Sequence, residues 1–218
     1  MDVLGTHSYD TLVEFERESY YEKKLRRWWS SFSYGDRALL RRLLGDATAL
    51  LHTTLVWHLL DVITSCWDPV LRCVTIGDVD LMPTLEEYGR FISLSTLLST
   101  IFIPPVWPCY CKRLTNLLGL KRPVVEVLTW YGSGIGGSMS FNFLYDRFHY
   151  QDNFVDLREQ WTSYRCRAFL VAFFGAMLFL SPSGAVSFTV LPLVSALPHG
   201  TSFIPALLSE TIRALSLC

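Results

Sequence analysis

The chain has 218 residues, half of them hydrophobic and 14% aromatic, with a formal net charge of −1. That length and apolar content exclude a disordered chain and allow a substantial core, in one large or two small domains. A balance so close to neutrality gives no global attraction to nucleic acid or to an anionic membrane.

Charge is nonetheless uneven along the chain. Residues 1–45 hold eight Lys/Arg and seven Asp/Glu, whereas beyond Arg167 only Glu210 and Arg213 are charged. Residues 1–10, MDVLGTHSYD, carry no apolar run of the secretory kind. From Tyr9 to Trp29, acids (Glu14, Glu16, Glu18, Glu22) precede bases (Lys23, Lys24, Arg26, Arg27), an order that suits a helix dipole. Residues 1–35 therefore read as a charged, exposed N-terminal extension. Its basic end, KKLRRWW, interleaves cations with Trp28 and Trp29, which could clamp phosphates and stack bases. The competing reading is a solvated helix end that packs both tryptophans on the domain, since the upstream acids cancel part of the field. Any nucleic-acid affinity is expected to be weak, salt-sensitive and dependent on Lys23, Lys24, Arg26 and Arg27.

Gly35-Asp36 opens the next element, with Asp36 as the expected N-cap of a helix over Arg37–Leu44. After Gly45-Asp46, a run from Ala47 to Cys66 places Leu50, Leu51, Leu55, His58, Leu59, Val62 and Ile63 on one face and predicts a single long helix. His52 and His58 are six apart and share no face as metal ligands would; His58 beside Asp61 reads as a core contact.

The stretch from Cys66 to Leu94 carries three structural signals in succession. Trp67-Asp68-Pro69 stops the preceding helix, because proline disfavours helical backbone at Asp68 and has no N–H of its own. Two apolar-alternating runs, Leu71–Ile76 and Val79–Leu81, hinge at Gly77-Asp78 and predict a small β-hairpin. Pro83 then precedes Thr84, which stands three residues before Glu87 and four before Tyr88. That is the capping-box spacing, in which hydroxyl and carboxylate each take up an orphan backbone N–H.

Ser95–Pro108, with three prolines, reads as a packed loop; Cys109–Leu120 and Pro123–Tyr131 read as helices. Gly132, Gly134 and Gly137 satisfy G-x-G-x-x-G, but the segment before them reads helical rather than as a strand, so a glycine loop is expected instead of a dinucleotide site. Ser138–Tyr150 predicts a helix with Phe141, Leu144, Tyr145 and Phe148 on one side. The charge-free run Ala168–Leu180 is too short to span a bilayer and fits a buried core helix. Residues 168–208 as a membrane hairpin are the competing reading, weakened by Pro182, Pro192, Pro198 and Pro205. Ser202–Cys218 predicts an amphipathic helix.

Chemical templates fit poorly. The six cysteines lack zinc spacing and read as reduced and mostly buried, so no metal site is expected. No serine lies in G-x-S-x-G, and the four lysines (Lys23, Lys24, Lys112, Lys121) sit in polar contexts without a cofactor-phosphate loop, so no cofactor is expected. Asp78, Asp80, Glu86 and Glu87 are the one carboxylate set that could serve a metal-dependent enzyme. Hairpin turn and first helical turn explain them as well.

Trp67-Asp68-Pro69, the Arg72–Asp80 hairpin and Pro83-Thr84-Leu85-Glu86-Glu87-Tyr88 together resemble the plant mobile domain family, sometimes labelled aminotransferase-like. The later runs Arg167–Leu170, Leu178–Gly184, Val190–Leu193 and Ala206–Leu215 are similar too. The resemblance covers residues 36–218 and implies a mainly α, multi-helix domain with one small β-hairpin near residues 71–81. It further implies an association with transposable elements, a nuclear location and a non-catalytic scaffold role in silencing, with protein partners and no established catalytic residues. It also implies that the helical domain is truncated at its C-terminus, so that self-association through the last helix is expected.

Overall fold

The computed structural model describes residues 20–53, 57–93, 110–120, 137–150, 158–179 and 185–217. The expected loop over Ser95–Pro108, the helix over Pro123–Tyr131 and the glycines Gly132 and Gly134 lie outside the described residues. The fold is mainly helical with a small β-hairpin, as expected, and it divides into two units. Unit 1 takes residues 1–40 and 104–195; unit 2 takes 41–103 and 196–218.

Unit 1 is organised around one helix. α1 covers residues 20–30 and is followed by α2 (Tyr34–Leu44), whose last turn belongs to unit 2. α5 (Tyr110–Leu118), β4 (Ser138–Ser140), α6 (Phe141–Phe148), α7 (Arg158–Phe173), β5 (Ala185–Ser187) and α8 (Val190–Ala196) follow in sequence. α7 packs against α5 and α6, and every residue from Ala168 to Ala176 is buried. A helix apolar on all sides carries no amphipathic stripe, which is why this stretch has the look of a membrane segment. Among the described residues no helix is long and apolar enough to cross a membrane. The face expected of α6 is the buried one: Phe141, Leu144, Tyr145 and Phe148 all lie in the core.

Past Phe173 the helix loosens into a π turn over Phe174–Leu178, closed by the Phe179 N–H donating to the Phe174 carbonyl at 2.8 Å. Gly175 sits there because a Cβ would lie 2.4 Å from the Val186 side chain on β5. β5 in turn pairs antiparallel with β4, Met139 opposite Val186. This second sheet corrects the expectation of a helix from Ser138. Serines at 138 and 140 expose one face while Met139 is buried, a period-two pattern.

The expected extension is also different in structure. Leu25, Trp28, Trp29 and Phe32 are buried, so residues 20–35 supply core to unit 1. α2 starts earlier than expected because Ser33, not Asp36, caps it: the Asp36 N–H donates to Ser33 Oγ at 3.2 Å and the hydroxyl donates back to the Asp36 carboxylate at 2.8 Å.

In unit 2, α2 runs into a 3₁₀ segment, Gly45–Leu51, followed by α3 (Trp57–Ser65). The single helix expected over 47–66 is thus broken. His52 leaves helical geometry (φ −121°, ψ 0°), and the Ala49 carbonyl is taken by the His52 N–H at 2.8 Å and the Thr53 hydroxyl at 2.9 Å. Such local side-chain bonds offer the backbone an alternative to continuing the helix. Leu59 and Val62, expected in the core, are exposed.

The expected hairpin is present as β2 (Cys73–Ile76) and β3 (Val79–Leu81), with Ile76 opposite Val79. Gly77 at φ +61°, with Asp78 at negative φ, matches a type II′ turn. A third strand, β1 (Trp67–Asp68), joins β2 and was not expected. Leu71 and Arg72 belong to the loop between them, because the Asp68 carboxylate accepts from the Val70 and Leu71 N–H groups at 2.7 and 2.9 Å. α4 (Leu85–Ile92) opens with the expected capping box: the Glu87 N–H donates to Thr84 Oγ1 at 3.3 Å, and the Thr84 N–H to the Glu87 carboxylate at 3.1 Å. Thr84→Ala is expected to lower stability by roughly 1 kcal/mol, read as a shift in urea midpoint; an unchanged midpoint would show the cap to be dispensable. A 3₁₀ turn (Leu197–His199) leads to α9 (Ile204–Leu215), which packs on α4 with Tyr88 Oη and Thr211 Oγ1 3.0 Å apart. Of the apolar face expected over Ser202–Cys218 (Phe203, Ala206, Leu207, Ala214, Leu215 and Leu217), Phe203 is buried, while Ala214 and Leu217 are exposed.

Candidate functional site

The basic cluster on α1 does not form one patch. Lys24 turns back onto unit 1, donating to Asn142 Oδ1 at 2.9 Å and lying 4.6 and 4.7 Å from the rings of Tyr20 and Tyr145. Arg26 pairs with Glu22 one turn earlier. Lys23 and Arg27 are exposed. Trp28, wholly buried, makes edge contacts with Tyr145 and Phe169, and Trp29 packs on Phe169. The two rings that would have stacked on bases are therefore core, and the packing alternative for KKLRRWW describes them.

Beneath that helix lies a charged group that the sequence reading passed over. Arg165 on α7 is 3% exposed. Its guanidinium donates to the Phe148 carbonyl at 3.0 Å, the His149 carbonyl at 2.7 Å and Ser31 Oγ at 2.6 Å, and stacks 4.4 Å from the Phe32 ring. Ser31 and His149 follow the ends of α1 and α6, where carbonyls lack helical partners and the dipole is negative. One buried cation thus ties down two helix C-termini, and they in turn offset its desolvation. A signal was available: four residues either side of Arg165 stand Trp161 and Phe169, which puts it on an apolar stripe.

His149 is buried beside it, its ring 4.5 Å from that of Tyr145. Burial, reinforced by the Arg165 charge, holds its imidazole below the ordinary 6.5. A depressed pKa means that the unfolded chain takes up the proton first. Stability is therefore complete above about pH 6.5 and falls as pH drops through that value, by at most about 1.4 kcal/mol per unit. Urea midpoints at about pH 7.5 and pH 5.5 are expected to differ more for the wild type than for His149→Phe; equal differences would show that His149 takes no part. Burial also pushes the Cys166 thiol up to about 12, so it stays protonated and is no nucleophile. Cys66, Cys73 and Cys166 are free thiols.

The carboxylates Asp78, Asp80, Glu86 and Glu87 are all exposed and are distributed over the hairpin turn, β3 and the first turn of α4. Asp80 accepts from the Thr75 hydroxyl at 2.8 Å, and Glu87 is held in the capping box. Among the described residues no three His, Cys, Asp or Glu side chains are grouped so as to hold a metal ion.

What unit 2 does present is apolar surface. The register puts Trp67, Val74, Leu81, Ile76 and Val79 on one face of the three-stranded sheet. Trp67 is buried at its base; Ile76, Val79, Leu81 and neighbouring Met82 and Leu71 are 52–58% exposed, and Val70 is 86% exposed. Single exposed apolar residues are ordinary, but a contiguous set on a pleated face makes a candidate interaction site. Trp67, Asp68, Pro69, Pro83, Thr84, Glu87 and Tyr88 form the base of this element: they build the loop and cap that hold the sheet, and they contribute little to its exposed tip.

A family model described as Domain of unknown function (DUF7745) matches residues 25–218. The chain belongs to the DUF7745 family. The DUF7745 match begins at Leu25, within α1, at the first residue of that helix whose side chain is fully buried. No curated protein matches the chain, and no solved structure does.

Proposed function

We propose that this DUF7745 domain is a non-catalytic interaction module, and that the apolar sheet face of unit 2 is its working surface. The observation that carries this reading is the exposure of Ile76, Val79 and Leu81 on one strand-paired face. Among the described residues, Arg165 serves helix ends, and Glu87 and Asp68 serve caps and turns. The wider setting we infer, a nuclear assembly linked to silencing or to transposable elements, rests on the likeness of Trp67–Tyr88 to plant mobile domains.

The test is a double substitution, Ile76→Lys with Val79→Lys. Both side chains are more than half exposed but face each other across the hairpin, so the paired lysines are expected to cost about 1 kcal/mol, and circular dichroism checks that the variant stays folded. Affinity isolation from the cells that make the protein, quantified by mass spectrometry, is expected to show a polypeptide held by the wild type and lost by the variant. Identical profiles for the two would overturn the reading.

A further inference from the structure

The apolar face ends at an open strand. β3 is an edge of its sheet, and the register shows which of its backbone groups are unclaimed there. With a two-residue turn, Ile76 and Val79 form the pair that exchanges hydrogen bonds, so Thr75 and Asp80 form the next, non-bonded pair. The Thr75 N–H confirms this by pointing away from β3, to the Cys66 carbonyl at 2.9 Å. The N–H and C=O of Asp80 therefore point outward from the sheet, as those of a strand awaiting a neighbour do.

We infer that β3 accepts an extended peptide of alternating apolar and basic residues as a fourth strand, a proposal that rests on the interaction-module reading above. Side chains of paired residues share a face. A partner residue opposite Asp80 lies on the Asp80 side, and its two neighbours lie over the exposed Val79 and Leu81. The neighbours are therefore apolar and the central residue is a cation. The surroundings favour the same sign, since every charged residue between 73 and 87 is acidic: Asp78, Asp80, Glu86 and Glu87. The same geometry disfavours a second copy of this chain, because antiparallel pairing centred on β3 sets Asp80 against Asp80.

The experiment uses the full 218-residue chain and a fluorescent, end-blocked peptide in which valine and lysine alternate. A second peptide carries glutamate in place of lysine, and a third has alternate backbone nitrogens methylated. The lysine peptide is expected to bind at least about tenfold more tightly than the glutamate one, with the methylated peptide silent. Asp80→Lys is expected to reverse the preference and Asp80→Asn to weaken it several-fold, circular dichroism confirming that both fold. Equal binding of the first two peptides, a preference that survives Asp80→Lys, or a dimer that Asp80→Lys dissolves would overturn the inference. If the peptides fail while Ile76→Lys with Val79→Lys still costs the cellular partner, edge pairing alone is wrong. If both fail, the docking reading falls with it.

Discussion

Replacing Arg165 by methionine is expected to lower the stability of the domain by roughly 3–5 kcal/mol. Methionine keeps the length and fills much of the space, so the loss is chiefly one of hydrogen bonds. It leaves the carbonyls of Phe148 and His149 and the Ser31 hydroxyl without the guanidinium that binds them. A buried acceptor deprived of its donor costs about 1–3 kcal/mol, and here two helix ends lose theirs together. Removing the cation also recovers its desolvation, which keeps the sum below that of three independent losses. Arg165→Lys retains the charge but not the planar fork, and is expected to recover less than half. The same substitution to methionine carries a second readout. The Arg165 charge helps to depress the His149 imidazole, so the His149 titration followed by NMR should move upward. Loss of stability without that movement would mean that the two groups are not coupled.

The second large effect is expected at Phe169. This residue is wholly buried on α7, its ring 5.5 Å from Trp28, 5.7 Å from Trp29, 5.3 Å from Phe32 and 6.1 Å from Phe173. Phe169→Ala removes the ring on which α1 packs and opens a cavity that four large, rigid neighbours cannot close. The expected cost is roughly 3–5 kcal/mol, against less than about 2 kcal/mol for Phe169→Leu. Urea denaturation measures both. A cost near that of leucine for the alanine variant would mean that α1 collapses onto α7 and that the aromatic cluster is not a fixed core.

These two residues show where the sequence is informative and where it is silent. The α6 face, the hairpin and the Thr84/Glu87 cap are local patterns, written within four residues of one another, and the structure contains each. β4 and β5 are three residues each and far apart in the chain, so nothing local marks their pairing. β1 is shorter still and depends on the Asp68 carboxylate turning the loop. The break at His52 lay hidden because the apolar spacing continues across it, while the Ala49 carbonyl is claimed from the side. In the sequence Arg165 and Arg167 both stand just before the apolar run that starts at Ala168; only burial separates Arg165 from Arg167, which is partly exposed. The candidate surface was half legible. Alternation marks Ile76, Val79 and Leu81 as one face, but alternation alone does not say that the face is left uncovered.

The central claim is that this face is where the domain meets a partner, and site-specific photo-crosslinking in living cells tests it most directly. A photoreactive residue is placed at position 79 on β3 and, as a control, at the exposed position 112 on α5. The account predicts a discrete adduct with one other polypeptide from position 79 and none of that mass from position 112. No adduct at 79, or the same adducts from both positions, would contradict it.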